Sequence, residues 1–239
     1  MDSGREPDAV AAVIFDLDGL IVESEEVWFD VRSAFAREHS REWRPDIQKA
    51  VMGMGPQEWP EHMKETLDLD LSPPEIRTEI LRRIVEEYDK RVPVIPGAVE
   101  AVQRLSGRWP LALASSSDRV LIDEVLARLN LTKYFEVTVS SEEVERGKPA
   151  PDVYLEAARR MKVDPPSAVA VEDSANGIRS ARSAGMAVIA IPNTRFPPSA
   201  DALGLADVVL GSIGELTASE VERAGRLRST RPAAALPAG

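Results

Sequence analysis

Six short apolar runs rich in Val, Ile and Ala recur along this 239-residue chain, and helix-like segments lie between most of them. The runs are found at 9–15, 110–114, 136–139, 168–171, 186–191 and 207–210. Helices are predicted at 99–105, 120–129, 152–161 and 175–184, where apolar residues recur at three- and four-residue spacing. Such alternation is typical of a parallel sheet that is covered on both faces. We therefore predict an α/β fold with a doubly wound, mostly parallel sheet.

The stretch 21–92 interrupts this alternation, because it contains no convincing strand. Amphipathic helix patterns cover 25–38, 56–67 and 73–91, and the Pro-Val-Ile-Pro-Gly run that follows suits a connection back to the sheet. An insertion after the first strand would lie above the carboxyl ends of the strands, where open α/β sheets bind ligands. We predict three units in the chain: a small all-helical cap at 21–92, a core at 9–20 and 93–226, and flexible tails at 1–8 and 227–239.

The charge balance and the absence of cysteine narrow the class of protein. A formal net charge of -11 repels the phosphates of nucleic acids and anionic membrane surfaces. The chain has no cysteine, which excludes disulfides, thiolate zinc sites and cysteine nucleophiles. The apolar run 9–15 is too short for a membrane span and lacks the basic start of a signal peptide. We expect a cytoplasmic monomer with a small-molecule partner and no nucleic-acid or membrane partner.

Two acidic residues, Asp16 and Asp18, follow the first predicted strand and precede Gly19, where the chain can bend sharply away. Two carboxylates this close raise one another's pKa unless a cation or a shared proton relieves the repulsion. Mg²⁺ is a suitable cation, because it prefers oxygen ligands. The Asp-x-Asp-Gly pattern also occurs in ordinary turns and calcium loops, so both interpretations stay open at this point.

Three further groups of polar residues follow other predicted strands or lie in the loops after them. Ser115 and Ser116 could bind phosphate oxygens with their hydroxyls and free N–H groups, or could simply cap a helix. Lys148, in a Gly-Lys-Pro turn, could offset the charge of a phosphate or be a solvated surface residue. Glu172 and Asp173 would complete an oxygen-rich metal site. Since the carboxyl ends of parallel strands converge on one crevice, we expect all these groups to surround one point.

Four segments carry a resemblance to the haloacid dehalogenase superfamily. They are Phe-Asp-Leu-Asp-Gly-Leu at 15–20, Leu-Ala-Ser at 113–115, Lys-Pro at 148–149 and Val-Glu-Asp-Ser at 171–174. Their order and spacing cover nearly the whole chain. The early helical insert resembles that of the branch that contains sugar-phosphate phosphatases and β-phosphoglucomutase. Two local sequences resemble the same branch: Gly-Leu-Ile-Val-Glu-Ser-Glu at 19–25 and Gly-Lys-Pro-Ala-Pro-Asp at 147–152. The resemblance implies a Rossmann-like core with a helical cap.

The resemblance also implies a two-step reaction and a Mg²⁺ cofactor. Asp16 would attack phosphorus in line and form an aspartyl-phosphate, while Asp18 would protonate the departing oxygen and later deprotonate water. The implied Mg²⁺ ligands are the Asp16 carboxylate, the main-chain carbonyl of Asp18, Asp173 and, directly or through water, Glu172. The implied partners of the transferring phosphoryl group are Ser115, Ser116 and Lys148.

Departures from the family patterns bear on the substrate. In the mutase a histidine and an arginine of the cap contact the sugar, whereas the corresponding places here are Trp28 and, approximately, Pro56. The stretch that ends at Trp28 instead resembles the Ser-Glu-x-x-Trp stretch of bacterial 2-deoxyglucose-6-phosphatase-like hydrolases, although Trp28 could also merely pack between cap helices. Ser117, Asp118 and Arg119 could reach a distal phosphate or sugar hydroxyls, or could serve as helix caps at the surface.

Asp18 separates this chain from two neighbouring branches. A true haloacid dehalogenase lacks the second acid, because an alkyl halide leaves without protonation. Phosphonatase needs a cap lysine and generally lacks the second Asp, so Lys49 and Lys64 are predicted to be surface residues. We predict a magnesium-dependent phosphatase of small phosphorylated metabolites, sugar phosphates in particular. The alternatives are a β-phosphoglucomutase-like phosphomutase and a catalytically silent binding module.

Overall fold

A computed structural model describes residues 10–52 and 54–230 and contains one six-stranded parallel sheet. The strands are β1 (Ala12–Phe15), β2 (Leu111–Ser115), β3 (Phe135–Ser140), β4 (Ala168–Glu172), β5 (Ala187–Ala190) and β6 (Val208–Val209). Their order across the sheet is β3-β2-β1-β4-β5-β6. The chain thus winds outward from β1 in one direction and then in the other. A crevice is expected at the carboxyl end of β1, where the two directions diverge.

Within the described residues the chain forms ten α-helices, which are α1 (Glu25–Glu38), α2 (Pro45–Val51), α3 (Glu58–Leu67), α4 (Pro73–Lys90), α5 (Ala98–Ser106), α6 (Arg119–Arg128), α7 (Asp152–Met161), α8 (Ala175–Ser183), α9 (Ala200–Leu203) and α10 (Ala218–Thr230). Helices α5, α6 and α10 cover one face of the sheet, while α7 and α8 cover the other. Neighbouring strand residues such as Val13 and Ile14 therefore enter opposite cores. This is why each central strand is a continuous apolar run. The predicted doubly wound fold is confirmed.

Helices α1 to α4 form an all-helical cap that is inserted between β1 and α5. Most of its buried side chains are apolar, and on α4 they include Ile76, Ile80 and Ile84, which are fully buried. The predicted helical insertion is confirmed. Helix α2 was not predicted, because seven residues are too few to display a helical repeat.

Two linkers connect the cap to the sheet, and they run side by side. The backbone N–H of Glu23 donates to the Pro93 carbonyl at 2.8 Å, and that of Ile95 donates to the Ile21 carbonyl at 2.9 Å. The predicted cap boundaries, at residues 21 and 92, lie at this pair of linkers. Because the linkers leave the sheet beside the end of β1, the inner face of the cap lies over the carboxyl ends of the strands.

The predicted C-terminal tail is wrong at its start, because α10 continues to Thr230. The last turns are held by Arg228, which donates to the Gly185 carbonyl at 3.2 Å. The remaining predicted tails, 1–8 and 231–239, lie outside the described residues, as does residue 9, where the first strand was predicted to begin. None of the helices within 10–52 and 54–230 combines the length and the apolar character needed to cross a bilayer.

Candidate active site

The carboxyl edge of the sheet brings four of the predicted site residues together. Asp16 follows β1, Glu172 ends β4, and Lys148 reaches them from the loop before α7. The Lys148 Nζ atom lies 2.7 Å from Asp16 Oδ1 and 2.5 Å from Glu172 Oε1. Ser115 ends β2, is buried, and lines the same cavity as Asp16 and Lys148. Acids, a hydroxyl and a lysine therefore meet at one point, although they are separated by up to 156 positions in the chain.

Glu172 holds the Lys148 side chain in place through the contact at Oε1. Its Oε1 atom also accepts a hydrogen bond from the Tyr154 hydroxyl at 2.6 Å, and Oε2 accepts from the Asp173 N–H at 3.2 Å and the Ser174 hydroxyl at 3.3 Å. The carboxylate lies so close to the first turn of α8 that a Cβ at Gly177 would be 1.9 Å from it. Since protein donors occupy both oxygens of Glu172, its side chain is placed to position the lysine.

Burial and the short distances between the lysine and the carboxylates shift the pKa values of these groups. Burial, together with the charges of Glu172 and Asp18, raises the pKa of Asp16 to about 7, although Lys148 opposes the increase. Burial and then Asp16 and Glu172 also raise the pKa of Asp173 well above its usual value. Burial acts to lower the pKa of Lys148, but the carboxylates of Asp16 and Glu172 outweigh it, so the pKa of Lys148 is raised. The lysine therefore carries a charge and leaves part of the acidic charge uncompensated.

The remaining acidic charge suits a divalent cation. Asp16, Glu172 and Asp173 each offer a carboxylate oxygen, and these atoms lie within 4.8 Å of one another. Asp173 reaches the cluster through the space at Gly19, where a Cβ would lie 2.0 Å from Asp173 Oδ2. Gly19 also has a φ of 74°, a conformation that favours glycine. Hard oxygen donors with excess negative charge match the requirements of Mg²⁺, so these residues fit the predicted cofactor.

The dependence of stability on pH and Mg²⁺ should reveal this cluster. Folded Asp16 keeps its proton up to about pH 7, whereas the unfolded chain releases it near the ordinary pKa of 3.8. The folded state therefore binds more protons between these values, and the contribution of Asp16 to stability is lost as pH rises through about 7. Because Mg²⁺ binds deprotonated carboxylates, we expect it to raise the Tm more at about pH 8 than at about pH 5.

Thermal unfolding with and without Mg²⁺ at the two pH values measures this effect. Asp173→Asn is the matched variant, since it removes one oxygen charge at the cluster, and it should lose most of the Mg²⁺-dependent increase in Tm. An equal increase in Tm at both pH values, or an undiminished increase in the variant, would contradict the assignment of the cluster.

Asp18 is oriented by two hydroxyls. Ser24, in the linker before α1, donates to one carboxylate oxygen, and Ser117 donates to the other. Ser117 is itself fixed, because its N–H donates to the Ser115 hydroxyl at 3.0 Å. The side chain of Asp18 thus lies at the cavity between the core and the cap, separate from the ion pairs of Lys148.

The residues that were predicted to contact substrate differ in their position relative to the cavities around Asp18. Trp28 packs edge-to-face on Trp59 with ring centroids 5.5 Å apart, and it also lines a cavity beside Asp18. Asp118 lines that cavity too and pairs with Arg77 of α4 at 2.5 Å. Arg119, in contrast, lines neither of the two cavities around Asp18 within the described residues. Its guanidinium turns toward β3, and contact of this residue with substrate stays a prediction.

The guanidinium of Arg119 is occupied by partners that only the fold supplies. It donates to the Thr138 hydroxyl at 2.7 Å and pairs with Glu143. Ser116, by contrast, lines both cavities around Asp18, and its role in binding phosphate stays a prediction.

Several residues of the site were not predicted from sequence. The cavity over Asp16 measures about 250 Å³, and the unpredicted residues that line it include Glu25, Met52, Ser174, Asn176, Asn193 and Phe196. Ser174 belongs to the Val-Glu-Asp-Ser segment at 171–174, which carries part of the family resemblance, so it could have been predicted from that segment. Asn193 and Phe196 follow β5 in a region without a family motif, and no sequence signal points to them.

A doubly wound sheet with a buried acid–lysine cluster under a helical cap defines a Rossmann-like, cap-bearing α/β enzyme. The sequence profile described as "Haloacid dehalogenase-like hydrolase" matches residues 13–191. The chain belongs to this family of hydrolases. The family resemblance predicted from sequence is confirmed.

Three relatives are named as phosphatases. The phosphorylated carbohydrates phosphatase of Thermotoga maritima is 34% identical over 178 residues, which cover 73% of this chain and 82% of that protein. Hexitol phosphatase B of Escherichia coli is 32% identical and covers 90% of this chain and 98% of its own length. Fructose-1-phosphate phosphatase YqaB of Escherichia coli is 32% identical, with coverages of 74% and 93%. The predicted enzyme class, a phosphoric monoester hydrolase, is confirmed.

Solved structures agree with the fold. The β-phosphoglucomutase of Clostridium difficile has a TM-score of 0.79 at 20% identity and covers 93% of this chain and 100% of its own. CbbY of Rhodobacter sphaeroides, solved with phosphate, has a TM-score of 0.78 at 24% identity, with coverages of 89% and 99%. At these identities the likeness concerns the fold and not the substrate.

Proposed function

We propose that this chain is a magnesium-dependent phosphatase of small phosphorylated metabolites, sugar phosphates in particular, that works through an aspartyl-phosphate on Asp16. The observation that carries the proposal is the contact of 2.7 Å between Asp16 Oδ1 and Lys148 Nζ at the base of a cavity that Ser115 and Asp18 also line. The three phosphatase relatives support the choice of substrate class.

In the first step the Asp16 carboxylate attacks phosphorus, and the bond between phosphorus and the leaving oxygen breaks. Lys148 and the Ser115 hydroxyl hold the phosphoryl oxygens, since both side chains line the cavity. Asp18 gives a proton to the leaving oxygen. In the second step water gives a proton to Asp18 and attacks phosphorus, and the Asp16–phosphorus bond breaks with release of phosphate. Positioning and charge neutralisation supply most of the catalysis in such reactions.

Mg²⁺ would be held by the carboxylates of Asp16 and Asp173 and by the main-chain carbonyl of Asp18. When bound, it neutralises the charge between an anionic phosphoryl group and an anionic nucleophile. Glu172 fixes Lys148 through its hydrogen bonds and also offers an oxygen to the acidic cluster, so it would assist in holding the cation directly or through water.

Asp18→Asn should separate substrates by their leaving groups. A sugar alkoxide needs a proton to depart, so we expect its turnover to fall by about 10²–10⁴-fold in this variant. A nitrophenolate departs without a proton, so the first step on p-nitrophenyl phosphate should be affected far less, and the burst of nitrophenol should persist. Rapid-mixing and steady-state assays of the two esters measure the difference. Wild-type rates on sugar phosphates in Asp18→Asn would refute the acid–base role.

A phosphate-release screen tests the proposed function directly. Phosphorylated metabolites are incubated with the full chain, with and without Mg²⁺, and magnesium-dependent release from sugar phosphates is the expected result. Transfer of label between the two positions of a hexose bisphosphate, without net release, would instead identify a phosphomutase. Binding of these compounds with neither release nor transfer would identify a silent binding module. The cytoplasmic location and the monomeric state stay predictions.

A further inference from the structure

A second cavity, of about 100 Å³, extends from Asp18 into the cap. The core lines it with Ser116, Ser117 and Asp118, which follow β2. The cap lines it chiefly with Trp28, Arg32 and Trp59, together with Glu25 and three apolar residues. Since Asp18 is the proposed donor of a proton to the leaving oxygen, this cavity is where the rest of the leaving group would lie.

Arg32 of α1 is a buried cation without a counter-ion in contact. It is 5% exposed, and no carboxylate of the described residues lies within 4.0 Å of it. Its guanidinium lies 4.3 Å from the ring centroid of Trp28, 5.1 Å from that of Trp59 and 5.7 Å from that of Trp43. The aromatic faces stabilise the charge and keep the side chain in one orientation.

The hydrogen-bonding capacity of Arg32 is not used up. One terminal nitrogen, Nη1, donates to Gln48 Oε1 at 3.3 Å, but the buried Nε–H has no partner in the described structure. Burial lowers the pKa of Arg32 to about 9, while Glu25 and Asp118 act in the opposite direction. The group therefore stays charged near neutral pH. A buried donor without a hydrogen bond costs free energy, so a bound molecule that accepts a hydrogen bond from Arg32 would be stabilised.

Trp59 is a second residue of the cavity lining that carries a buried donor. It is 3% exposed, and its buried indole N–H has no hydrogen bond in the described structure. Burial raises the pKa of Asp118, and the Trp59 N–H lies near enough to oppose this increase after Arg77, although it is not within hydrogen-bond geometry of the carboxylate. Asp118 itself is an acceptor and is oriented by Arg77 at 2.5 Å. The residues that carry these two donors and this acceptor therefore all line one small space.

The charges around the cavity select among possible leaving groups. Asp18, Glu25 and Asp118 are carboxylates, and Arg32 is the cation that lines the cavity with them. A second phosphate would lie against these carboxylates and be repelled. Hydroxyl groups are both donors and acceptors, so they can pair with the free N–H groups and with Asp118 at the same time. The tryptophan rings offer apolar surface to the C–H groups of a carbon chain.

We propose that this cavity is the subsite for a neutral, polyhydroxylated leaving group, in which Arg32 and Trp59 donate hydrogen bonds to its hydroxyls and Asp118 accepts one. The inference rests on the proposed function and narrows it to monophosphates of sugars or sugar alcohols. Bisphosphates are disfavoured substrates for this chain.

Three probes test the subsite: a hexitol monophosphate, fructose 1,6-bisphosphate and acetyl phosphate, whose leaving group lacks hydroxyls. In the wild-type chain kcat/KM should be at least about tenfold higher for the hexitol monophosphate than for the bisphosphate. Arg32→Gln and Trp59→Phe should each lower kcat/KM for the hexitol monophosphate by about tenfold more than for acetyl phosphate, because each removes a hydrogen bond to a hydroxyl. Trp59→Phe keeps the ring, so it serves even if Arg32→Gln does not fold.

Matched controls lie away from the cavity. Arg83 is another cap arginine that stacks on an aromatic ring, with its guanidinium 5.5 Å from the centroid of Phe35. Trp109 donates its indole N–H to the Val10 carbonyl at 3.1 Å. Arg83→Gln and Trp109→Phe should leave unchanged the ratio of kcat/KM for the hexitol monophosphate to kcat/KM for acetyl phosphate. Equal losses on both probes in Arg32→Gln or Trp59→Phe would overturn the proposal, and so would a preference for the bisphosphate that Arg32→Gln removes.

A binding measurement separates this inference from the proposed function. Asp16→Asn is titrated with the hexitol monophosphate while tryptophan fluorescence is followed, and addition of Trp59→Phe should weaken the affinity by about tenfold. If the wild-type chain releases no phosphate from any probe but this titration behaves as expected, the proposed function fails and the subsite stands. Absence of binding by Asp16→Asn, or an affinity that Trp59→Phe does not change, overturns the subsite.

Discussion

Asp16→Asn should reduce the magnesium-dependent release of phosphate from sugar phosphates by about 10⁴-fold or more, because it removes the proposed nucleophile. The amide has nearly the same shape as the carboxylate and can still lie against Lys148. It also removes one of three neighbouring acidic charges in a buried cluster. We therefore expect the variant to fold. The measurement is steady-state phosphate release, together with circular dichroism and the Tm.

The control for this variant is Asp70→Asn, which makes the same change at an exposed position of the cap. It should retain wild-type activity. Magnesium-dependent turnover by Asp16→Asn at more than a few per cent of the wild-type rate would show that another group attacks phosphorus. Loss of activity accompanied by loss of the folded circular dichroism signal would show that Asp16 is needed for the fold, and the nucleophile assignment would then lack support from this variant.

Lys148→Met should damage both catalysis and stability. Within the described residues Lys148 is the only cation within 4.0 Å of Asp16 or Glu172, and it contacts both. Removing one partner of a buried ion pair leaves the other charge uncompensated, which costs about 3–5 kcal/mol in the free energy of unfolding. Loss of a donor to the phosphoryl oxygens should lower kcat by about 10²–10³-fold.

The cost in stability should depend on pH. Without the lysine, the raised pKa values of Asp16 and Asp173 rise further, so the folded variant holds protons that the unfolded chain releases. Its stability relative to the wild type is then greater at about pH 5 than at about pH 8. Urea unfolding at both pH values measures this difference. Lys90→Met is the control and should change neither property, since this exposed lysine pairs with Glu87 alone among the residues that the structure describes. A Lys148→Met variant with wild-type stability at pH 8 would contradict the buried ion pair.

Much of the fold could be predicted because parallel strands are buried on both faces and are therefore continuous apolar runs. The cap was visible as a gap in the strand pattern, but α2 was not, because a helix of seven residues shows too few repeats. The start of the C-terminal tail was also missed, because the packing of Arg228 against the Gly185 carbonyl is a contact between distant parts of the chain.

The sequence by itself determined which residues stand at the ends of the strands or in the loops that follow them, and hence the meeting of Asp16, Ser115, Lys148 and Asp173 at one edge of the sheet. Strand direction and connection order are enough for that, since they depend on local patterns and on general rules of parallel sheets. Only the tertiary structure decided what each side chain contacts. In the folded chain the Arg119 guanidinium contacts β3, and both oxygens of Glu172 accept hydrogen bonds from protein donors. Arg32 lies among three tryptophans and has no counter-ion in contact within the described residues. These outcomes depend on distances between residues far apart in the chain, which become defined only when the helices pack.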